Sequence, residues 1–89
     1  MTQHAETRRR QRGISVPDIK QAILTGQIIE DYPDDYPFPS CLVLGYTDRG
    51  DPLHIVCGAG DGQLYVITAY RPSRDKWESD WRTRKESTT

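Results

Sequence analysis

No apolar run in this chain approaches the roughly 20 residues that a membrane-spanning helix needs. The arginine-rich start is not followed by an apolar stretch, so it does not read as a signal peptide. Cysteine is scarce: Cys41 and Cys57 are the only two, far apart, with no Cys-x-x-Cys. That argues against a disulfide framework and against a zinc site built from this chain alone, and the expected compartment is a reducing cytoplasm. Histidine is scarcer in proportion to its chemistry, with His4 and His54 alone. A net charge of one sign is also missing. Twelve basic residues face thirteen acidic ones, for a formal charge of -1. A near-neutral chain does not bind polyanions by bulk charge, so affinity for one requires local clustering or a partner.

Local clustering is present. The stretch "HAETRRRQRGIS" places His4 beside Arg8, Arg9, Arg10 and Arg12. Its residues 4–12 favour helix, and Gly13 ends it. Ser15 reads as the N-cap of a second helix, with Pro17 in the first turn and Asp18 at N3. Val16, Ile19, Ala22 and Ile23 recur at helical spacing, and Gly26 stops the run.

After Gln27 the period changes. "IIEDY", "CLVLGYT", "PLHIVCGA" and "QLYVITAY" are four strand-like runs. The proline- and aspartate-rich "YPDDYPFPS" reads as an ordered loop, and "DRGD" and "GDG" as turns. Short connections require antiparallel pairing. The expected architecture is α+β: two N-terminal helices packed on one face of a four-stranded antiparallel meander, as a single domain of residues 1–81. "RPSRDKWESDW" adds at most a helical turn, and residues 82–89 form a polar tail, expected to be mobile.

Turn chemistry sets registers. A two-residue Arg49-Gly50 turn would force Arg49 to positive φ, so a three-residue Asp48-Arg49-Gly50 loop is expected, with Gly50 in the left-handed region. Counting back, Cys41 faces Cys57 and Leu44 faces His54. In "GAGDGQ" a two-residue turn puts His54 opposite Ala69, and a three-residue loop puts it opposite Thr68. A one-residue slip separates them, and the residues alone leave both open.

His4, Arg8 and Arg12 are spaced four apart and share one helix face. They combine an acid/base group with guanidiniums suited to bidentate phosphate binding. They also fit a plain solvated helix face. His54 sits mid-strand, as a second acid/base group or as a satisfied buried residue. Tyr46, Tyr65 and Tyr70 lie on strands and suit either base stacking or ordinary sheet packing.

"HAETRRRQRGIS", "IIEDYPDDYPFPSCLVLGYT", "PLHIVC" and "ITAYRP" with a following tryptophan resemble the uncharacterised bacterial family called domain of unknown function 4258, over residues 4 to about 81. The family is similar to RelE-like toxins, many of them ribonucleases paired with an antitoxin. The resemblance implies a RelE-like fold and a site of His4, Arg8, Arg12, His54, Thr68 and Tyr70, and so favours the register that gathers His54, Thr68 and Tyr70 on one face. Arg9 departs from the family pattern, where an apolar residue often stands.

The expected function is a toxin-like, metal- and cofactor-independent endoribonuclease acting on messenger RNA, on the ribosome or off it. Its catalytic residues are His4, Arg8, His54 and Tyr70, and its substrate-binding residues are Arg12, Thr68 and Tyr46. The resemblance implies an antitoxin partner with a zinc finger or helix-turn-helix. The alternative is a non-catalytic module that binds nucleic acid or protein through the same residues.

Overall fold

A computed structural model describes residues 2–36 and 38–85. The order is α1 (Gln3–Gln11), α2 (Val16–Thr25), β1 (Gln27–Tyr32), β2 (Ser40–Tyr46), β3 (Pro52–Gly60) and β4 (Gln63–Tyr70). The strands form one antiparallel sheet in the order β1-β2-β3-β4. The α+β architecture read from the sequence is the architecture found.

Each helix is capped as its residues dictate. The Thr2 hydroxyl accepts the Ala5 amide at 3.0 Å. Ser15 and Asp18 form a reciprocal capping box at the start of α2. This satisfies amides that have no partner inside the helix. Alternation along the strands sends Val43, Leu53, Ile55, Cys57 and Ala69 to one face, where they form the core with Ile14, Ile19 and Ala22.

Helix α1 contributes only Ala5 to the buried set and is held along the outer edge of β4. The Thr2 amide donates to the Val66 carbonyl at 3.5 Å, and Arg12 Nη1 donates to the Ala69 carbonyl at 2.7 Å. Two carbonyls of the edge strand are thus taken up by the residues that flank α1, which hinders pairing of that edge with another strand. Arg9, at the position where the resemblance led to an apolar residue being expected, is tied down by polar bonds. It is half-buried, ion-paired with Glu6, and donates to the Ile14 carbonyl at 3.3 Å.

The β2–β3 connection is the expected three-residue loop. Gly50 has φ of 83°, and the Thr47 amide donates to the Asp51 carbonyl at 2.9 Å. Cys41 pairs with Cys57 and Leu44 with His54, as counted from the sequence.

The β3–β4 connection corrects both registers considered for it. Gly60 pairs with Gln63 across a two-residue Asp61-Gly62 turn, in which both central residues have positive φ. Asp-Gly is suited to this type I′ geometry. A bulge between Val56 and Cys57 then leaves Ile67 unpaired, shifting the register by one. Thr68 pairs with Val56, Ala69 with Ile55, and Tyr70 with His54.

The second sheet face, which the sequence leaves open, is partly covered by the chain after β4. Pro72 and Trp77 are buried. The Trp77 amide donates to the Ser73 carbonyl at 3.1 Å, closing one helical turn. Residues 82–85, assigned from sequence to a polar tail, return onto this face: Arg84 forms a β-bridge with Trp77 and an ion pair with Glu30. Residues 86–89 of that tail lie outside the described residues.

Candidate functional site at the end of β4

The bulge decides what meets at the C-terminal end of β4. It places Tyr70 beside His54 on the face opposite the helices, with Thr68 two residues earlier on the same face. The Tyr70 hydroxyl lies 3.3 Å from His54 Nδ1, and the rings meet edge-on at 5.4 Å between centroids.

His54 is completely buried. Its Nε2 lies 2.6 Å from the Trp81 carbonyl oxygen. A carbonyl only accepts, so Nε2 carries the hydrogen and Nδ1 is left to accept from the Tyr70 hydroxyl. Trp77 packs perpendicular to the imidazole at 4.4 Å. Burial pushes the His54 pKa below its ordinary value, outweighing the Trp81 carbonyl and the Glu30 charge, which act the other way. The imidazole is therefore neutral at physiological pH. Burial raises the Tyr70 pKa, so its hydroxyl keeps its proton.

Arg12, just past α1, reaches around the β4 edge to the same place. Its Nη1 donates to the Thr68 hydroxyl at 3.3 Å, and its guanidinium carbon lies 6.0 Å from the Tyr70 ring centroid. Arg71 is fixed by donating to the carbonyls of Arg12 and Gly13. On the other side, Arg84 donates to both Glu30 oxygens at 2.7 and 2.9 Å and covers the Trp77 ring at 4.6 Å. Those bonds hold the Glu30 carboxyl below its ordinary range and raise the Arg84 pKa further. Tyr70, Arg71, Ser73, Lys76, Trp77 and Arg84 enclose a cavity of about 260 Å³.

Of the residues singled out by sequence, four converge: Arg12, His54, Thr68 and Tyr70. His4 and Arg8 stand exposed on α1. Arg8 reaches only Gln11, at 3.5 Å, and no contact joins His4 to His54 among the described residues. Tyr46 is exposed at the C-terminal end of β2, two residues beyond the Leu44 that pairs with His54, and its amide donates to the Thr25 hydroxyl, but no hydrogen bond joins it to His54 or Tyr70 among the described residues. Tyr65 stacks on Phe38 at 6.0 Å, pinning the proline-rich loop. Arg71, Lys76, Trp77 and Arg84 were not singled out. The last two lie in polar sequence whose only signal was a tryptophan among charges. Among the described residues, no three histidine, cysteine or carboxylate side chains cluster so as to hold a metal. No helix there is long and apolar enough to cross a membrane.

The model of the domain of unknown function DUF4258 matches residues 1–71. The chain belongs to this family. The match ends at Arg71, so Trp77 and Arg84, which complete the wall of the site, lie beyond it. No curated protein and no solved structure matches the chain.

Proposed function

We propose that this protein is a RelE-like, metal-independent endoribonuclease that cleaves single-stranded messenger RNA and is held in check by an antitoxin protein. The observation that carries the reading is the Tyr70 hydroxyl, bonded to the free nitrogen of a neutral imidazole and flanked by the Arg12 guanidinium. RNA cleavage without metal needs one proton taken from the 2′-hydroxyl and one given to the 5′-oxygen leaving group. In this scheme Tyr70 is the group that touches the substrate. Its oxygen takes the 2′-hydroxyl proton while its own proton passes to His54 Nδ1. The 2′-oxygen attacks phosphorus, the bond to the 5′-oxygen breaks, and the dyad returns the proton to that oxygen. The products are a 2′,3′-cyclic phosphate and a 5′-hydroxyl. Arg12 offsets the charge that accumulates on the phosphorane. His54 is then a positioning and proton-holding residue, and His4 and Arg8 contribute a basic helix face for the RNA backbone.

The test is cleavage of an unstructured RNA, alone and with translating ribosomes, in the presence of chelator. Tyr70→Phe is expected to slow cleavage by roughly two to four orders of magnitude, the usual worth of general acid–base catalysis. The corresponding DNA should survive, because it lacks the 2′-hydroxyl. Undiminished cleavage by Tyr70→Phe overturns the mechanism.

A second reading has an observation of its own. Both His54 nitrogens are satisfied and the ring is sealed under Trp77, as in a purely structural histidine. A non-catalytic module that holds nucleic acid or a protein would bind through the basic face and cleave nothing under either condition.

A further inference from the structure

We propose that the cavity after β4 seats a backbone phosphodiester of single-stranded RNA, held by Arg71, Lys76 and Arg84, so that the segment beyond the family domain builds part of the substrate site. This rests on the RNA reading above and adds a subsite to it.

Three cations and two hydroxyls, those of Tyr70 and Ser73, line one cavity in a chain whose formal charge is -1. Among the described residues, the one carboxylate bonded to any of the three cations is Glu30, on Arg84. Two positive charges therefore remain in excess. Both guanidiniums are held in place before any ligand arrives. Arg71 is fixed by two backbone carbonyls of the α1–α2 junction, and Arg84 by Glu30 and the Trp77 ring. A guanidinium has five N–H donors, and two of each are used in these bonds, so donors remain on both for an anion in the cavity they line. Preorganised donors cost little entropy on binding. Among the described residues the Lys76 side chain makes no ion pair, and it adds a point charge.

Size narrows the ligand. About 260 Å³ falls just under the roughly 300–1,000 Å³ of sites that engulf a whole small molecule. It suits a phosphate and its sugar on a strand that continues past the cavity. Tyr70 lines the same cavity, so a phosphate seated there brings a neighbouring ribose to the hydroxyl that the cleavage scheme uses. An acidic peptide would satisfy the cations but gives Tyr70 no such partner.

The experiment uses the full chain and a short 2′-O-methyl single-stranded oligonucleotide, which binds but cannot be cleaved. Binding is followed by anisotropy of a terminal dye at several salt concentrations. Lys76→Glu and Arg71→Ala are each expected to weaken binding about tenfold or more, the worth of one hydrogen bond to a charged group. Each should also flatten the plot of log affinity against log salt by about 0.7 per lost cation. Lys76 is an exposed surface residue, so Lys76→Glu should fold normally, and circular dichroism checks this. Unchanged affinity and slope in folded Lys76→Glu and Arg71→Ala overturn the subsite, even if the wild type cleaves RNA. Loss of binding in these variants, with no cleavage by the wild type, upholds the subsite and overturns the nuclease reading. A poly-glutamate peptide that binds more tightly than the oligonucleotide, with the same dependence on Lys76, assigns the cavity to a protein partner and overturns the proposal.

Discussion

Tyr70 stands directly opposite His54, although the Asp61-Gly62 turn alone would put Ala69 there. The difference is one residue, Ile67, which the bulge leaves unpaired. Because side chains alternate faces, that single step moves Tyr70 from the helix-covered side to the side of His54, and Ala69 into the core. Ala69 packs into the core beneath the helices and Tyr70 meets His54, so the core and the candidate site are both set by the same shift.

The neutral state of His54 makes stability depend on pH. Burial holds its folded pKa below the unfolded value, near 6.5. Its contribution is fully present above about pH 6.5. It is lost as pH falls from there through the folded pKa, because the unfolded chain binds a proton that the folded chain refuses. Denaturant midpoints measured between pH 8 and 5 should fall over this window, with a slope from this group of at most about 1.4 kcal/mol per pH unit. His54→Gln should flatten that slope while lowering stability overall. A variant that keeps the full slope places the titrating group elsewhere.

Trp77 is only 3% exposed and covers His54. Trp77→Ala is expected to destabilise the protein by about 3–5 kcal/mol, the usual cost of removing a large buried aromatic. That is a large share of the roughly 5–15 kcal/mol that holds a domain together. Water reaching the imidazole should also return the His54 pKa towards its ordinary value, which the imidazole proton resonances report by NMR. If the segment after β4 were a detached tail, urea denaturation would show little change.

The helices, the four strands and the β2–β3 register were legible because each rests on local chemistry: the Ser15–Asp18 box, the positive φ at Gly50, and the alternation through "PLHIVC". The β3–β4 register was not. Asp61-Gly62 announces its own turn, but a bulge six residues away leaves no local signature, since Ile67 is as good a strand residue as its neighbours. The grouping of Arg12, Thr68, Tyr70 and His54 was anticipated through family resemblance rather than geometry. The pairing of the two histidines was suggested by scarcity alone, and nothing in the fold carries His4 to His54. The second face was hidden because "RPSRDKWESDWRTR" is polar. Its anchoring depends on Glu30, Trp77 and Arg84 meeting across more than fifty residues.

Gly45 marks where α2 presses closest to the sheet. A Cβ placed there would lie 1.8 Å from the Ala22 carbonyl oxygen, with backbone rather than a flexible side chain in the way. Gly45→Ala must lift α2 off β2. It should cost about 3 kcal/mol or more, at or beyond the upper end of ordinary overpacking. Gly50→Ala is the comparison. Its surroundings are open, and only the left-handed backbone opposes it, at about 1–2 kcal/mol. Chemical denaturation of the two variants should rank Gly45→Ala as clearly the worse, and a reversed order would mean that the helix yields freely.

The facing cysteines differ in what surrounds them. Cys57 is buried, and desolvation, with a smaller push from Cys41, raises its thiol pKa to about 11. Cys41 is half-buried, and its pKa is raised by desolvation and then by the Asp31 charge. Since the thiolate is the reacting species, about one Cys57 in a thousand is reactive at pH 8 even before access is considered. Iodoacetamide at pH 8 should therefore label Cys41 first. Cys57 should label only at the rate at which the fold opens, and as fast as Cys41 in 6 M guanidinium. Mass spectrometry of digested samples distinguishes the sites. Native-state labelling of Cys57 at the Cys41 rate would show that the core beneath α2 admits solvent, and that Cys57 is not sealed beside Ile55 and Ala69.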